Sequence, residues 1–447
     1  MQSRRMCTCL IVFSREWSDI TKIKEPPGVI RMKPARTFAG FRVVVAENIE
    51  DLSPFLKDLE DLASATAEPN IFYEPCMLVP AMRWLAEGTD LRLVLVFLRG
   101  KNAVQEQLGG FFPLEVLRYY NHFPVKTARL WRHKFCHLCT PLLRHGKERA
   151  VLAAFFDWSA THSEDWRIVE FGWNTGSGVL HELLVESSSF DQRVGLVDTR
   201  YTRPLLRCAL TAETYFKDAI SSKHLKDIQK KQRKLQQLGT VEYATPVSTE
   251  EAGEWINEFI RLEAAGWKRQ RGDTIAANTN HVHFFRDAME EVWQAGKLDL
   301  IALRLDSKLI AIKINLLCHI GAFAVRISFD ESYRAYSPGL LLELENIRRF
   351  HQRPGIQWMD SCADQYNPMF NRIWSEKRVI ESLLISNESR IGDAWIGIIP
   401  LGHWLRRTFF GTHACESVSS ASNATYCARD VDSPASVEKP LSELVEG

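Results

Sequence analysis

Between residues 240 and 386 the apolar and polar positions fall into a regular succession of periods. Leu298–Leu305 is an apolar run closed by Asp306-Ser307. Leu309–Leu317 then alternates Ile310, Ile312, Ile314 and Leu316 against Ala311, Lys313 and Asn315. A turn at Ile320-Gly321 leads to Phe323–Phe329, where Phe323, Val325, Ile327 and Phe329 alternate with Ala324, Arg326 and Ser328. A period of two over three consecutive runs predicts an antiparallel meander with one apolar face. Ahead of it, Thr240–Ala244 reads as a short strand. Thr249–Ala265 reads as an amphipathic helix capped by Ser248 or Thr249, and Asn280–Ala295 as a second helix stopped by Gly296. Behind the meander come the loop Asp330–Gly339 and a helix at Leu340–His351, with Leu340, Leu341, Leu344 and Ile347 inward. Strands at Ile356–Asp360 and Arg378–Ser386 follow. From Asn387 the pattern fades, and Glu416–Gly447, rich in Ser, Ala, Asp and Glu, reads as a disordered tail.

The first part of the chain is patterned less sharply. Strands are predicted at Phe41–Ala46, Leu91–Leu98, Trp166–Phe171 and Arg203–Leu210. Helices are predicted at Leu52–Leu62, Lys147–Trp158 and Gly178–Ser187. Alternation of this kind predicts an α/β domain over 39–210, after an irregular leader at 1–38. A helix at Ser221–Leu238, stopped by Gly239, connects the two parts (211–239). It carries six Lys/Arg against one Asp. Such a face is either simply solvated or placed to meet phosphate, of a nucleotide or of RNA. The second domain is bounded at 240–390, with a C-terminal extension at 391–447 that is disordered after about 415.

The chain has 447 residues, 45% hydrophobic and 25% charged, with a formal charge of +1. No global field draws it to DNA or to a membrane. The apolar run Cys7–Phe13 follows Arg4 and Arg5 and is followed by charge instead of a cleavage site, so the reading is a cytoplasmic protein. Ile391–Trp404, the strongest candidate for a membrane span, is short and holds Asp393, Pro400 and His403; no membrane insertion is expected. The ten cysteines lack the density of a disulfide framework. Cys136-x-x-Cys139, near His133, His137 and His145, has zinc spacing. It lacks a second ligand pair, and its surroundings also alternate like a strand, so no metal is expected.

Chemistry concentrates at Arg334-Ala335-Tyr336-Ser337-Pro338-Gly339-Leu340-Leu341, between a strand end and a helix start. First-turn N–H groups have no intrahelical partner, and the helix dipole favours an anion there. A diphosphate suits such a place. Gly339 permits close approach of the backbone, Pro338 presets the turn at no hydrogen-bonding cost, and Arg334 adds a charged donor. By themselves these residues equally describe an ordinary strand–turn–helix connection.

The order of elements resembles the GNAT acyltransferase fold, whose R-x-x-G-x-G/A loop joins the fourth strand to the third helix. This chain has Arg334-x-x-Ser337-x-Gly339, with serine at the first glycine. Within that superfamily it looks most like the FemAB-like group that includes the CelD-type proteins of cellulose biosynthesis. The shared features are the segments Arg233–Gly239, Gly266–Lys268 and Tyr336–Glu343, with Asp360 followed by Tyr366. The resemblance covers roughly 220–386. It implies an α/β (α+β) fold of tandem GNAT-like domains, each a mostly antiparallel twisted sheet flanked by helices, with 39–210 degenerate and 240–390 the acyltransferase domain.

The resemblance further implies an acyl-CoA-dependent N-acyltransferase with acetyl-CoA or another acyl-CoA as co-substrate. The acceptor would be an amine of a small-molecule, cell-envelope or polysaccharide precursor that attacks the thioester directly. Arg334, Tyr336, Ser337, Gly339, Leu340 and Leu341 would bind the co-substrate, with Ile327 and Phe329 on the splayed strand beside it. Trp267, Lys268 and Arg326 would face the acceptor, although Trp267 suits a core position equally. Asp360 would be the base, unless it only caps the loop Ser361–Gln365, with Asp364 its rival. Tyr366 would protonate the leaving thiolate. Cys362, with no histidine near in sequence, reads as core filler. Two other readings stand beside this one: a FemX-like transferase using aminoacyl-tRNA, and a non-catalytic binding protein.

Overall fold

The computed structural model describes residues 36–38, 40–100, 106–121, 123–190, 193–209, 211–266 and 274–410. The first half opens with β1 (Arg36–Phe38) and β2 (Phe41–Ala46), then α1 (Ile49–Leu52), α2 (Leu56–Ser64) and α3 (Pro75–Leu85). A meander of β3 (Leu91–Arg99), β4 (Glu106–Leu117) and β5 (Thr127–Leu130) follows, with β6 (Leu142–Leu143) beside β4. Next come α4 (Glu148–Ala160), β7 (Ile168–Thr175), α5 (Val179–Phe190) and β8 (Gly195–Arg207). The connectors are α6 (Ala212–Ala219) and the basic α7 (Ser222–Gln236). The second half repeats the plan with β9 (Val241–Ala244), α8 (Thr249–Ala265), α9 (Thr279–Gln294), β10 (Leu298–Leu305), β11 (Lys308–Cys318) and β12 (Gly321–Phe329). It continues through α10 (Pro338–Gln352), β13 (Trp358–Asp360), α11 (Pro368–Ile373) and β14 (Glu376–Ser386), and α12 (Arg390–Phe410) closes it.

All the described strands join one mixed sheet, in the order β1-β2-β3-β4-β5-β7-β14-β8-β13-β12-β11-β10-β9, with β6 paired to β4 off this path. The two parallel contacts, β5 with β7 and β12 with β13, sit at equivalent places in the halves, each made by a helical crossover. Between them the halves exchange strands. β8, from the first half, lies between β14 and β13, while β14, from the second, lies between β7 and β8. The tandem arrangement expected from the sequence is therefore present, but as a single continuous sheet.

Both faces of the second-half meander are covered. Leu300, Ala302, Ile312 and Ile314 pack with Trp255, Phe259, Phe284 and Phe285 in a core that continues into the first half. On the other face Ile301, Leu303 and Ala311 meet Leu341, Leu342 and Ile347 of α10. The meander was expected to have one apolar face only. Its polar positions are instead satisfied inside: Lys313 pairs with Glu343 at 2.7 Å, both fully buried, and Asn315 donates to Asp299 and Asn346. Two readings of the first half need correction. The alternation around Cys136 does not form a strand, because β5 ends at Leu130. β8 starts eight residues before the predicted Arg203 and ends at Arg207; its first half is largely exposed and therefore carries no apolar pattern.

Candidate active site

β12 and β13 run side by side only as far as the pair Phe323–Asp360. At the next step β12 bulges, placing Ala324 and Val325 opposite the single residue Asn315 of β11. The strands part where the bulge turns the backbone, and β12 continues alone on that side to Phe329. Arg326 points toward α8, donating to the buried Glu263 at 2.6 Å, with its guanidinium over the Phe135 ring. Ile327 and Phe329 turn to the opposite face, against the start of α10.

Past Phe329 the chain makes a 3₁₀ turn, Glu331–Tyr336, capped by Asp330. Asp330 is partly buried, yet Lys308 at 2.6 Å and the Ser332 hydroxyl and N–H hold its pKa down at about 2. The turn ends at Ser337, whose φ of 52° and ψ of 53° lie in the left-handed region. Glycine is the usual residue there because serine's Cβ is strained. Ser337 thus holds a backbone conformation that glycine adopts more readily. Its Oγ lies 3.2 Å from Nζ of Lys231, so the basic α7 reaches over this corner.

The loop is more self-satisfied than the sequence suggests. The Ser337 N–H donates to the Arg334 carbonyl, and the Leu340 and Leu341 N–H groups both donate to the Ser337 carbonyl. Among the described residues the Gly339 N–H has no acceptor. Gly339 itself is buried, and a Cβ there would stand 3.3 Å from Phe329 Cδ1 and 3.7 Å from Ile327 Cδ1. Arg334 is exposed, Tyr336 and Leu340 are half-buried, and Leu341 is sealed in the core.

Asp360 does not fit the role of base expected for it. None of the side chain is exposed, and Arg203 grips it at 2.7 and 2.8 Å while Arg378 adds a bond of 2.7 Å. Its other oxygen also accepts the Cys362 N–H. Burial alone would raise its pKa, but Arg203 first and Arg378 second hold it below the ordinary aspartate value. A carboxylate so engaged has no lone pair for an incoming amine; it is the centre of a structural ion triad. Arg203 also donates to the His137 carbonyl, so the arginine that grips Asp360 of the second half is itself held by the first.

Asp364, four residues on, has the opposite character. Burial pushes its pKa up to about 6, although one oxygen accepts the Tyr366 N–H; the other oxygen is buried with no hydrogen-bond partner among the described residues. A carboxylate destabilised as an anion and half-unsatisfied is suited to taking up a proton near neutrality. Tyr366 stands 69% exposed in the same loop. Cys362 is buried with its thiol pKa pushed far up by burial, as filler should be. Trp267 and Lys268 lie outside the described residues.

The equivalent corner of the first half is occupied by the chain's own carboxylates. At the start of α4, Gly146 has φ +74° and its N–H donates to Glu148 Oε1 at 2.9 Å; at the start of α5, the Leu180 N–H donates to Glu68. A small pocket between them is lined by Glu68, Thr140, Leu143 and Glu148. An anionic ligand would meet two carboxylates there. Cys136 and Cys139 lie with their sulfurs 3.8 Å apart, and the described residues contain no group of three side chains able to hold a metal.

Residues 222–367 match the family model for the acetyltransferase (GNAT) domain. No curated protein matches the sequence. Among solved structures the chain is similar to FemX, at 9% identity and a TM-score of 0.48, covering 74% of this chain and 95% of that one. It is also similar to a conserved protein of unknown function from Bacteroides thetaiotaomicron VPI-5482, at 12% identity and 0.46, covering 74% and 97%. A third likeness is to a tandem GNAT protein from the clavulanic acid biosynthesis pathway, at 12% and 0.38, covering 78% and 99%.

Proposed function

We propose that this chain is an N-acyltransferase that takes an acyl group, in the first instance acetyl, from acyl-CoA and delivers it to the amine of a small-molecule or cell-envelope precursor. The observation that carries the reading is that the bulge Ala324–Val325 falls at the step where β12 leaves β13. Beyond that step β12 has no partner strand on its β13 side, so backbone groups there are free to meet a pantetheine arm and the thioester carbonyl. The Gly339 N–H and Lys231, with the exposed Arg334 in the same loop, would receive the diphosphate. The supporting groups come from α7, β12, the Glu331–Tyr336 turn and α10, so the site would be complete only in the second half.

In this reading Asp364 takes the proton from the attacking amine and Tyr366 returns one to the departing thiolate. The nitrogen–carbon bond forms as the carbon–sulfur bond breaks, with no covalent enzyme intermediate. Holding the two substrates together would account for much of the acceleration. Arg326, beside the bulge and held by Glu263, would face the acceptor on the α8 side. A place in the FemAB-like, CelD-type group belongs to the same proposal and is supported by the Tyr336–Glu343 segment.

A melting screen with CoA, acetyl-CoA, longer acyl-CoAs and aminoacyl-tRNA tests this reading. A ligand at 100 times its dissociation constant stabilises the fold by about 2.7 kcal/mol. Stabilisation by a CoA species, with thiol release when an amine is offered, is expected. No response to any CoA species removes the reading; response to aminoacyl-tRNA alone replaces it with a FemX-like transfer, and binding without thiol release replaces it with a binding protein.

A further inference from the structure

The helix α12 packs through Ile396 and Ile399 onto Ile168, Leu384, Tyr120 and Val125, a small core separate from the two larger ones. Its opposite side is unusual. Every exposed position from Ile391 to Leu405 is apolar: Ile391, Ala394, Gly397, Ile398, Pro400, Leu401, Trp404 and Leu405. Five of them are large and substantially uncovered, with Leu401 54% and Trp404 58% exposed. The polar residues of this stretch turn sideways, His403 toward Asp198 at 3.6 Å and Asp393 half-buried. A surface helix ordinarily shows water a charged face; this one shows about 22 Å of uninterrupted apolar stripe.

We propose that this stripe rests on an anionic lipid surface, with α12 lying in the plane of the interface. Two observations select that occupant. The first is charge: Arg390 is exposed at one end of the stripe, and the sequence places Arg406 and Arg407 directly after Leu405 at the other, against the single acid Asp393. An apolar face with an exposed arginine at one end, two arginines next in sequence at the other and a tryptophan between suits the boundary between headgroups and acyl chains. The second is area. At the printed exposures the five large side chains and the small residues between them offer on the order of 600 Å² of accessible surface, below the roughly 800 Å² each partner gives to a stable protein interface. A bilayer asks for no such complementary partner. The chain's own C-terminal stretch, Glu416–Gly447, is a poor cover, since it holds no Ile, Phe, Trp or Met. Among the described residues no helix is long and apolar enough to cross a membrane, so the contact is peripheral.

The experiment is co-sedimentation of the full chain with vesicles of phosphatidylcholine alone or mixed with phosphatidylglycerol, beside light scattering in solution. The parent should partition at least tenfold better onto the anionic vesicles. Leu401→Glu combined with Trp404→Glu should abolish that preference without moving the melting temperature, and Ile391→Glu at the far end should weaken it. The inference is overturned if the parent stays in the supernatant, if it partitions equally onto both vesicles, or if the double variant binds as the parent does. It is equally overturned if the parent is a dimer that the double variant dissociates, for the stripe is then a contact between copies. CoA binding in solution is independent of every one of these outcomes.

Discussion

Asp360→Asn removes one negative charge from a site where none of the side chain is exposed, and leaves Arg203 (1% exposed) and Arg378 (11% exposed) facing a neutral amide. Deleting one partner of a buried ion pair costs about 3–5 kcal/mol, because the charge left behind is neither hydrated nor compensated. Here two guanidinium groups lose their counter-ion. Asparagine keeps one oxygen to share between Cys362 N–H and an arginine, so the expected loss is about 4 kcal/mol. That is a large fraction of the roughly 5–15 kcal/mol by which a domain is stable. Urea unfolding followed by circular dichroism measures it as a lower midpoint at unchanged slope. Turnover per folded molecule should change little. A pH series adds an independent check. Because the folded pKa of Asp360 is depressed, its stabilising contribution is present above the ordinary aspartate value and is lost as pH falls through the folded value. The gap between parent and variant should therefore narrow in acid. A variant within about 1 kcal/mol of the parent in stability, with turnover down a hundredfold, would refute the triad and return Asp360 to the role of base.

Asp364→Asn should leave CoA binding intact and cut turnover at least a hundredfold; in the parent, kcat/KM should rise with pH through about 6 as Asp364 loses its proton, and the variant should lack that limb. Lys231→Ala removes the ammonium beside Ser337 and should weaken CoA binding three- to tenfold at low salt, with a smaller loss at high salt, measured by titration calorimetry. At Ser337 the left-handed backbone makes a sharp pair of variants. Ser337→Gly should alter stability by less than about 1 kcal/mol, whereas Ser337→Val should lower it by about 1–3 kcal/mol in the same urea titration.

The second half was legible because its strands alternate strictly and its helices carry caps. β10 was read to the residue, and β11 and β12 to within two, since Ile312, Ile314 and Phe323 return to one face at every second position. What escaped did so for physical reasons. α12 is apolar on both its buried and its exposed sides, so no helical period stands out. The residues that neutralise Asp360 lie 157 and 18 positions away on other strands, and no local spacing announces them. Asp360 and Asp364 look alike in a sequence. Only burial between arginines on one side, and burial without a partner on the other, separates a structural carboxylate from a candidate base. The left-handed turn at Ser337 was masked in the same way, since serine carries none of glycine's signal for it.

The exchange of β8 and β14 has a practical meaning for anyone dissecting this molecule. Residues 222–367, the stretch that matches the GNAT family model, contain neither strand. Excised, that fragment would leave β13 with a bare edge and Asp360 without Arg203 or Arg378, and it should not persist as a soluble unit. Cutting elsewhere is no kinder, because each half is completed by a strand the other owns. Interlacing of this kind also leaves no hinge along the middle of the sheet, so substrates must be admitted by side chains and short loops, not by the halves swinging apart.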